Sequence, residues 1–349
     1  MGKAIYMQPE VDNFEPIEPP SGQLDFRSSQ WAQLPATDLV INYLATNLWS
    51  ESEPPLSWEA ARFSKAVYLY RETKTHWAVI VKFYSPKTGS TAEKNADRER
   101  RLIGEARSAG LTSGRIRAIR SLGTWRGVLF LEYADGLSLA DMIAIRQSQP
   151  GVLNRCLTST AELLARLHSG GIRNETAPNN ERAFAKTLKY VDELTKYGVL
   201  KDEAVTTDGL QRLINTWIAS PKMEQYIPTV THGDATTTNF IFPSGDGVVA
   251  IDWERLEISD PATDLGRLAA EVSYSIIEQG GNGAEAAHLL HNLFNAYHQA
   301  SSRENPIDAL IERARFYQAA STLRIARNGW IPRPERTALV AQAMALLVP

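Results

Sequence analysis

The polar run Thr231-His232-Gly233-Asp234-Ala235-Thr236-Thr237-Thr238-Asn239 is followed, after a short apolar stretch, by Ile251-Asp252-Trp253-Glu254. Transfer of a phosphoryl group to a hydroxyl needs a carboxylate that orients the attacking oxygen and oxygen ligands for Mg²⁺ at the β- and γ-phosphates. A loop built for that task carries an Asp, then an Asn a few residues on, then a second Asp after a hairpin. Asp234, Asn239 and Asp252 stand in that order. The order assigns Asp234 to the acceptor hydroxyl and Asn239 and Asp252 to the metal.

Such a set works only if neighbouring elements hold it in place. Phe240-Ile241-Phe242 reads as a buried strand, Pro243-Ser244-Gly245-Asp246-Gly247 as a hairpin turn, and Val248-Val249-Ala250-Ile251 as the returning strand. That hairpin would bring Asp252 back beside Asn239.

The segment resembles the signature of the aminoglycoside phosphotransferase and choline kinase family, whose members carry HGDxxxxN followed by IDWE or IDFE. Asp260-Pro261-Ala262-Thr263-Asp264-Leu265 is similar to that family's DPxxDL stretch. The resemblance covers roughly residues 60 to 330. It implies an α+β, two-lobed, protein-kinase-like fold, with a small lobe of antiparallel sheet plus helix and a large, mostly helical lobe. His232 takes the place of the His in the protein-kinase HRD motif, and Gly233 replaces the Arg used there for activation-loop control. Trp253-Glu254 replaces the Phe-Gly that follows the metal-binding Asp, so regulation by loop phosphorylation is not expected. Asp264 reads as a structural acceptor for the backbone of the catalytic loop. Glu254 has two open readings, support of the metal site or contact with a polar substrate.

Upstream, Ala66–Tyr70 and Trp77–Tyr84 read as strands joined by a polar turn. Lys82 lies near the end of the second. A Lys in an apolar strand is costly to bury unless paired, and a kinase uses one on the α- and β-phosphates with a helical Glu as partner. The other reading is an edge-strand Lys turned to solvent. The helix expected from about Ala92 to Ser108 offers Glu99, on the side of Leu102 and Ile103, with Glu105 as runner-up. Arg62-Phe63-Ser64-Lys65-Ala66 stands where a phosphate-covering loop belongs but has no glycine. Ser64 and Lys65 either touch the phosphates or lie on the surface.

Val128–Tyr133 is an apolar strand that breaks at Ala134-Asp135-Gly136. By resemblance this is a hinge, where the backbone around Glu132, Tyr133 and Ala134 meets the adenine edge; GTP is not excluded. Later segments, Ala161–Leu167 before His168, Ala286–Ala300, Ile307–Arg327 and Pro334–Leu347, follow helical periodicity. His288 and His291 share one helix face with no third ligand marked, and packing explains that helix.

Composition narrows the partners. A net charge of -3 gives no electrostatic footprint for nucleic acid or an anionic membrane. The single Cys156 excludes an intramolecular disulfide framework, in keeping with a reducing compartment. No apolar run reaches membrane-span length and the start lacks a signal-peptide stretch. A cytoplasmic protein is expected.

The sequence therefore predicts an N-terminal extension over 1–50, with a Pro-rich segment from Pro9 to Pro20 and a helix through Leu39–Leu48. A nucleotide-binding small lobe over 51–133 and a catalytic, substrate-binding lobe over 134–349 follow. The expected activity is Mg²⁺- and ATP-dependent phosphorylation of a sugar, amino alcohol or aminoglycoside-like acceptor. A pseudokinase-like nucleotide-binding module and a protein kinase are the alternatives.

Overall fold

The computed structural model describes residues 31–49, 55, 57–202, 205–243, 247–301 and 306–348. The Pro-rich segment and Ser244–Asp246 of the expected turn lie outside the described residues. The chain divides into two units, Met1–Arg101 with Arg120–Tyr133, and Leu102–Ile119 with Ala134–Pro349. The expected small lobe thus cedes Leu102–Ile119 to the larger unit.

The smaller unit is built on a sheet. Strand β1 (Ala32–Gln33) precedes helix α1 (Leu39–Asn47), whose N-terminus is capped by the Asp38 carboxylate accepting from the amides of Val40 and Ile41. Strands β2 (Trp58–Ser64), β3 (Val67–Glu72) and β4 (Ala78–Phe83) lead into helix α2 (Ala92–Ala106). Strand β5 (Ile116–Ala118) then joins the larger unit, and the chain returns as β6 (Ser121–Trp125) and β7 (Val128–Glu132). The six-stranded sheet runs β1-β2-β3-β4-β7-β6, with every neighbouring pair antiparallel. Alternation along β4 turns Val79, Val81 and Phe83 into a core shared with Val40, Ile41 and Leu44 of α1. Helix α1 of the expected N-terminal extension thus packs into this unit's core through Val40, Ile41 and Leu44.

After β5, the larger unit resumes with β8 (Leu137–Ser138) and helix α3 (Leu139–Ala144), joined by a capping box between Ser138 and Asp141. Helices α4 (Val152–Gly170) and α5 (Glu181–Lys196), the strand pair β9 (Lys201–Asp202) and β10 (Val205–Thr206), and α6 (Thr207–Ile218) follow. Cys156 is buried in α4. Next come β11 (Thr229–Thr231), β12 (Phe240–Phe242), β13 (Val248–Ala250) and β14 (Glu257–Ser259), then α7 (Ala262–Glu278), α8 (Gly283–Ala300), α9 (Ile307–Ala326) and α10 (Arg333–Leu347). A four-stranded sheet runs β5-β13-β12-β8 and a separate pair joins β11 to β14.

Helices α7 and α9 pack closely because α7 offers Gly266 at the crossing. A Cβ there would lie 2.5 Å from the Ala314 carbonyl oxygen and from Tyr317 Cβ. His288 and His291 hydrogen-bond Asn292 and Asn295 on an exposed part of α8. No described helix is long and apolar enough to cross a membrane.

Candidate active site

The candidate catalytic loop of the larger unit leaves β11 at Thr231, whose partner in the register is Glu257 of β14. Gly233 turns the chain with φ +74°, and a Cβ on it would stand 2.1 Å from the Arg255 carbonyl oxygen. Glycine is required twice over, by conformation and by space. Asp264, in the first turn of α7, fixes the same turn: its Oδ2 accepts from the His232 amide at 2.6 Å and its Oδ1 from the Gly233 amide at 2.9 Å. His168 Nε2 lies 3.1 Å from Oδ2, and Tyr297 hydroxyl 2.9 Å from His168 Nδ1. Burial alone would raise the Asp264 carboxyl, but the hydrogen bond and charge of His168, together with His232, hold it below its ordinary value.

His232 is fully buried and acts as a strut. Its Nε2 donates to the Ile251 carbonyl at 3.0 Å, and its Nδ1 accepts from the Asp234 amide at 3.3 Å. That pairing needs the neutral imidazole, and burial does push the ring below its ordinary pKa against the pull of Asp264, Asp234 and Asp252. The imidazole also packs on Trp253, with centroids 4.4 Å apart.

The same network brings Asn239 and Asp252 together. Asn239 ends a single 3-10 turn, Thr237–Asn239, and donates through Nδ2 to the Asp234 carbonyl at 2.9 Å. Its own carbonyl accepts from the Ile251 amide at 3.0 Å, continuing the pairing of Phe240 with Ala250. The next residue, Asp252, adopts φ +61° and ψ +63°. A non-glycine residue held there marks a position whose geometry the surroundings impose. Glu254 is half-buried on the following 3-10 turn, Trp253–Arg255.

Asp234 makes a contact that the sequence reading missed. Its Oδ1 lies 2.5 Å from Arg267 Nη1 and 3.4 Å from Arg255 Nη1. Arg267 follows Asp264 by one helical turn on α7, so the spacing that places Asp264 at the loop places Arg267 there also. Gly233 and Arg267 line a cavity of about 290 Å³ that is completed by α5, β14 and α9. Helix α5 was also missed, although Thr187, Val191 and Leu194 mark its buried stripe. Two acidic groups near in sequence do not face this cavity. Asp260 is buried against Arg313, at 2.7 Å, and Asp264 is committed to the loop amides.

In the smaller unit, Lys82 lies on the strand face opposite the apolar core, with its Nζ 2.8 Å from Glu99 Oε2. Tyr84 hydroxyl donates to the same carboxylate oxygen. Strand β4 lies between β3 and β7, which excludes the edge-strand reading of Lys82. Glu105 pairs instead with Arg173 at 3.6 Å. The stretch expected to be a phosphate loop is the end of β2 followed by a two-residue turn. Ser64 is the last residue of the strand and Lys65 lies in the turn, both exposed. Arg62 Nε donates to the Ser64 carbonyl at 2.9 Å, which closes the turn without glycine. Glu132 accepts through Oε1 from the Arg120 amide at 2.7 Å, so its side chain is used within the sheet. Tyr133 and Ala134 follow without regular secondary structure.

A model of the phosphotransferase enzyme family matches residues 60–317. The chain belongs to that family. No curated protein is close enough in sequence to match. Among solved structures, choline kinase from Cryptosporidium parvum Iowa II is 13% identical, with 89% of this chain and 94% of that chain covered and a TM-score of 0.54. An aminoglycoside phosphotransferase from Alicyclobacillus acidocaldarius is 14% identical, with coverage of 87% and 94% and a TM-score of 0.54. The streptomycin-ATP-APH(2″)-IIa ternary complex is 13% identical, with coverage of 90% and 96% and a TM-score of 0.54. At such identities the likeness shows the fold: this phosphotransferase family member has the α+β, two-lobed kinase-like architecture.

Proposed function

We propose that the protein is an ATP-dependent small-molecule kinase that phosphorylates an acceptor hydroxyl. The observation that carries this reading is the loop in which His232, Asp264 and Asn239 tie the backbone around Asp234 to Asp252. A structural loop has no need of an Asp at φ +61° beside an Asn whose side-chain nitrogen is already committed.

In this reading Asp234 orients the acceptor hydroxyl through Oδ2, since Oδ1 is given to Arg267. Lys82, held by Glu99, meets the α- and β-phosphates, and the backbone at Glu132, Tyr133 and Ala134 meets the base. Ser64 and Lys65 reach toward the phosphates from the tip of their hairpin. Asn239 and Asp252 offer hard oxygen donors of the kind Mg²⁺ takes. When bound, Mg²⁺ would neutralise charge on the transferred phosphate. His232 and Asp264 act on the loop alone, and Glu254 supports the metal ligands. That a structural relative binds ATP with streptomycin, and another is a choline kinase, agrees with a nucleotide donor and a small acceptor.

A transfer assay from radiolabelled Mg-ATP into separate metabolite and protein pools tests the proposal. Label in small molecules supports it. Label in protein would make this a protein kinase, and nucleotide binding without transfer would make it a pseudokinase.

A further inference from the structure

The cavity beside Asp234 has an unusual charge for a site that would receive amines. Its wall carries Arg182, Lys186, Arg267 and Arg324 against one carboxylate, Glu257. Three of these cations have a carboxylate partner: Arg182 meets Glu257 at 2.5 Å, Arg267 meets Asp234 at 2.5 Å, and Arg324 donates to Glu271. Lys186 closes no ion pair or hydrogen bond among the described residues. Its ammonium is pushed below its ordinary pKa by partial desolvation and by Arg182, Arg267 and Arg255, against the pull of Glu257. A cation in that state is stabilised by any anion that enters. The carboxylates that an ammonium acceptor would need, Asp260 and Asp264, are buried in other contacts.

Size points the same way. About 290 Å³ lies at the low end of small-ligand sites, which run roughly 300–1,000 Å³. It is enough to hold a compact metabolite.

Resting on the kinase reading above, we propose that the acceptor is a small hydroxylated anion, a hydroxy acid or sugar phosphate, whose charged group pairs with Lys186. Arg267, which donates from Nη1 to Asp234, lines the same cavity and adds positive charge to its wall. In the transfer, the acceptor oxygen forms its bond to the γ-phosphorus while the bond from that phosphorus to the β,γ-bridging oxygen breaks. The electron pair leaves on ADP, and the hydroxyl proton passes to Asp234 Oδ2 and on to water.

Calorimetry on the full-length protein, loaded with Mg²⁺ and a non-hydrolysable ATP analogue, tests the acceptor class. The titrants are gluconate, glucose 6-phosphate and inorganic phosphate, set against glucose, choline and kanamycin. The anions should bind and the amines should not. Lys186→Glu should weaken anion binding by about tenfold or more while Lys186→Arg retains it, and both should keep the affinity for the ATP analogue. Lys186 is exposed on its helix, and a melting curve will confirm that the variants fold. Failure of every anion to bind, tighter binding of choline or kanamycin, or indifference of anion binding to Lys186→Glu would each overturn the proposal. If the ATP analogue binds in those cases, the acceptor class alone falls; if it does not bind, the kinase reading falls with it.

Discussion

Asp234 shares one carboxylate oxygen with Arg267, and the 2.5 Å contact fixes the direction in which the other points. Arg267→Ala should therefore lower turnover by about 10–100-fold with little change in nucleotide affinity, because a misaimed carboxylate loses orientation rather than binding. Arg267→Lys should recover part of this, since it restores the charge but not the planar fork. Equal loss of nucleotide affinity and turnover would show that Arg267 serves the phosphates instead. His232 gives a second prediction. Its folded-state pKa lies below the ordinary 6.5, so the unfolded chain takes up the proton first as pH falls. The stability contributed by the neutral ring is complete above about pH 6.5 and lost as pH drops from there through the folded-state value. Denaturant unfolding should show stability falling with acidification in that window, and His232→Phe should flatten the slope. Asp264, depressed below 3.8, acts only in a lower range and leaves the window clear.

Elements explain which parts of this site can be read from sequence. Asp234, Asn239 and Asp252 lie on one loop and the hairpin that follows, so their spacing alone encodes their proximity. The pairing of Lys82 with Glu99 was legible because Lys82 is the one ionisable residue of an apolar strand and Glu99 lies on the same side of its helix as Leu102 and Ile103. Arg267, 33 residues from Asp234, was not legible, because its approach depends on how α7 docks. Nor was the cavity, whose walls come from α5, β14 and α9 and meet only in the fold. The turn at Ser64 and Lys65 carries no glycine signature because Arg62 closes it through the Ser64 carbonyl. The docking of α7 is itself testable. Gly266→Ala should destabilise the protein by about 1–3 kcal/mol, since the added methyl meets the α9 backbone. A melting temperature equal to that of the parent would show that α7 and α9 separate without cost.

Across the whole molecule, the described N-terminal residues and the undescribed ones should behave differently on truncation. Val40, Ile41 and Leu44 are buried in the core of the smaller unit, and each such side chain contributes about 1.5–3 kcal/mol. Removing residues 1–49 should therefore leave an unfolded or aggregating product. Removing residues 1–21 should leave transfer activity largely intact; a truncation that folds but cannot transfer phosphate would give the Pro-rich segment a part in the site. The larger unit carries both the candidate catalytic loop and the cavity, so acceptor preference should follow substitutions there and not in the smaller unit.

The proposed function divides the work between two carboxylates, Asp234 for the acceptor and Asp252 for the metal-bound nucleotide. It is tested most directly by measuring, side by side, Mg-ATP affinity and radiolabel transfer into a metabolite extract for Asp234→Asn and Asp252→Ala. Asp234→Asn should retain nucleotide affinity and lose about 10²–10⁴-fold in transfer, whereas Asp252→Ala should lose Mg-ATP binding itself. Equal loss of Mg-ATP affinity in both variants, or undiminished transfer by Asp234→Asn, would contradict it.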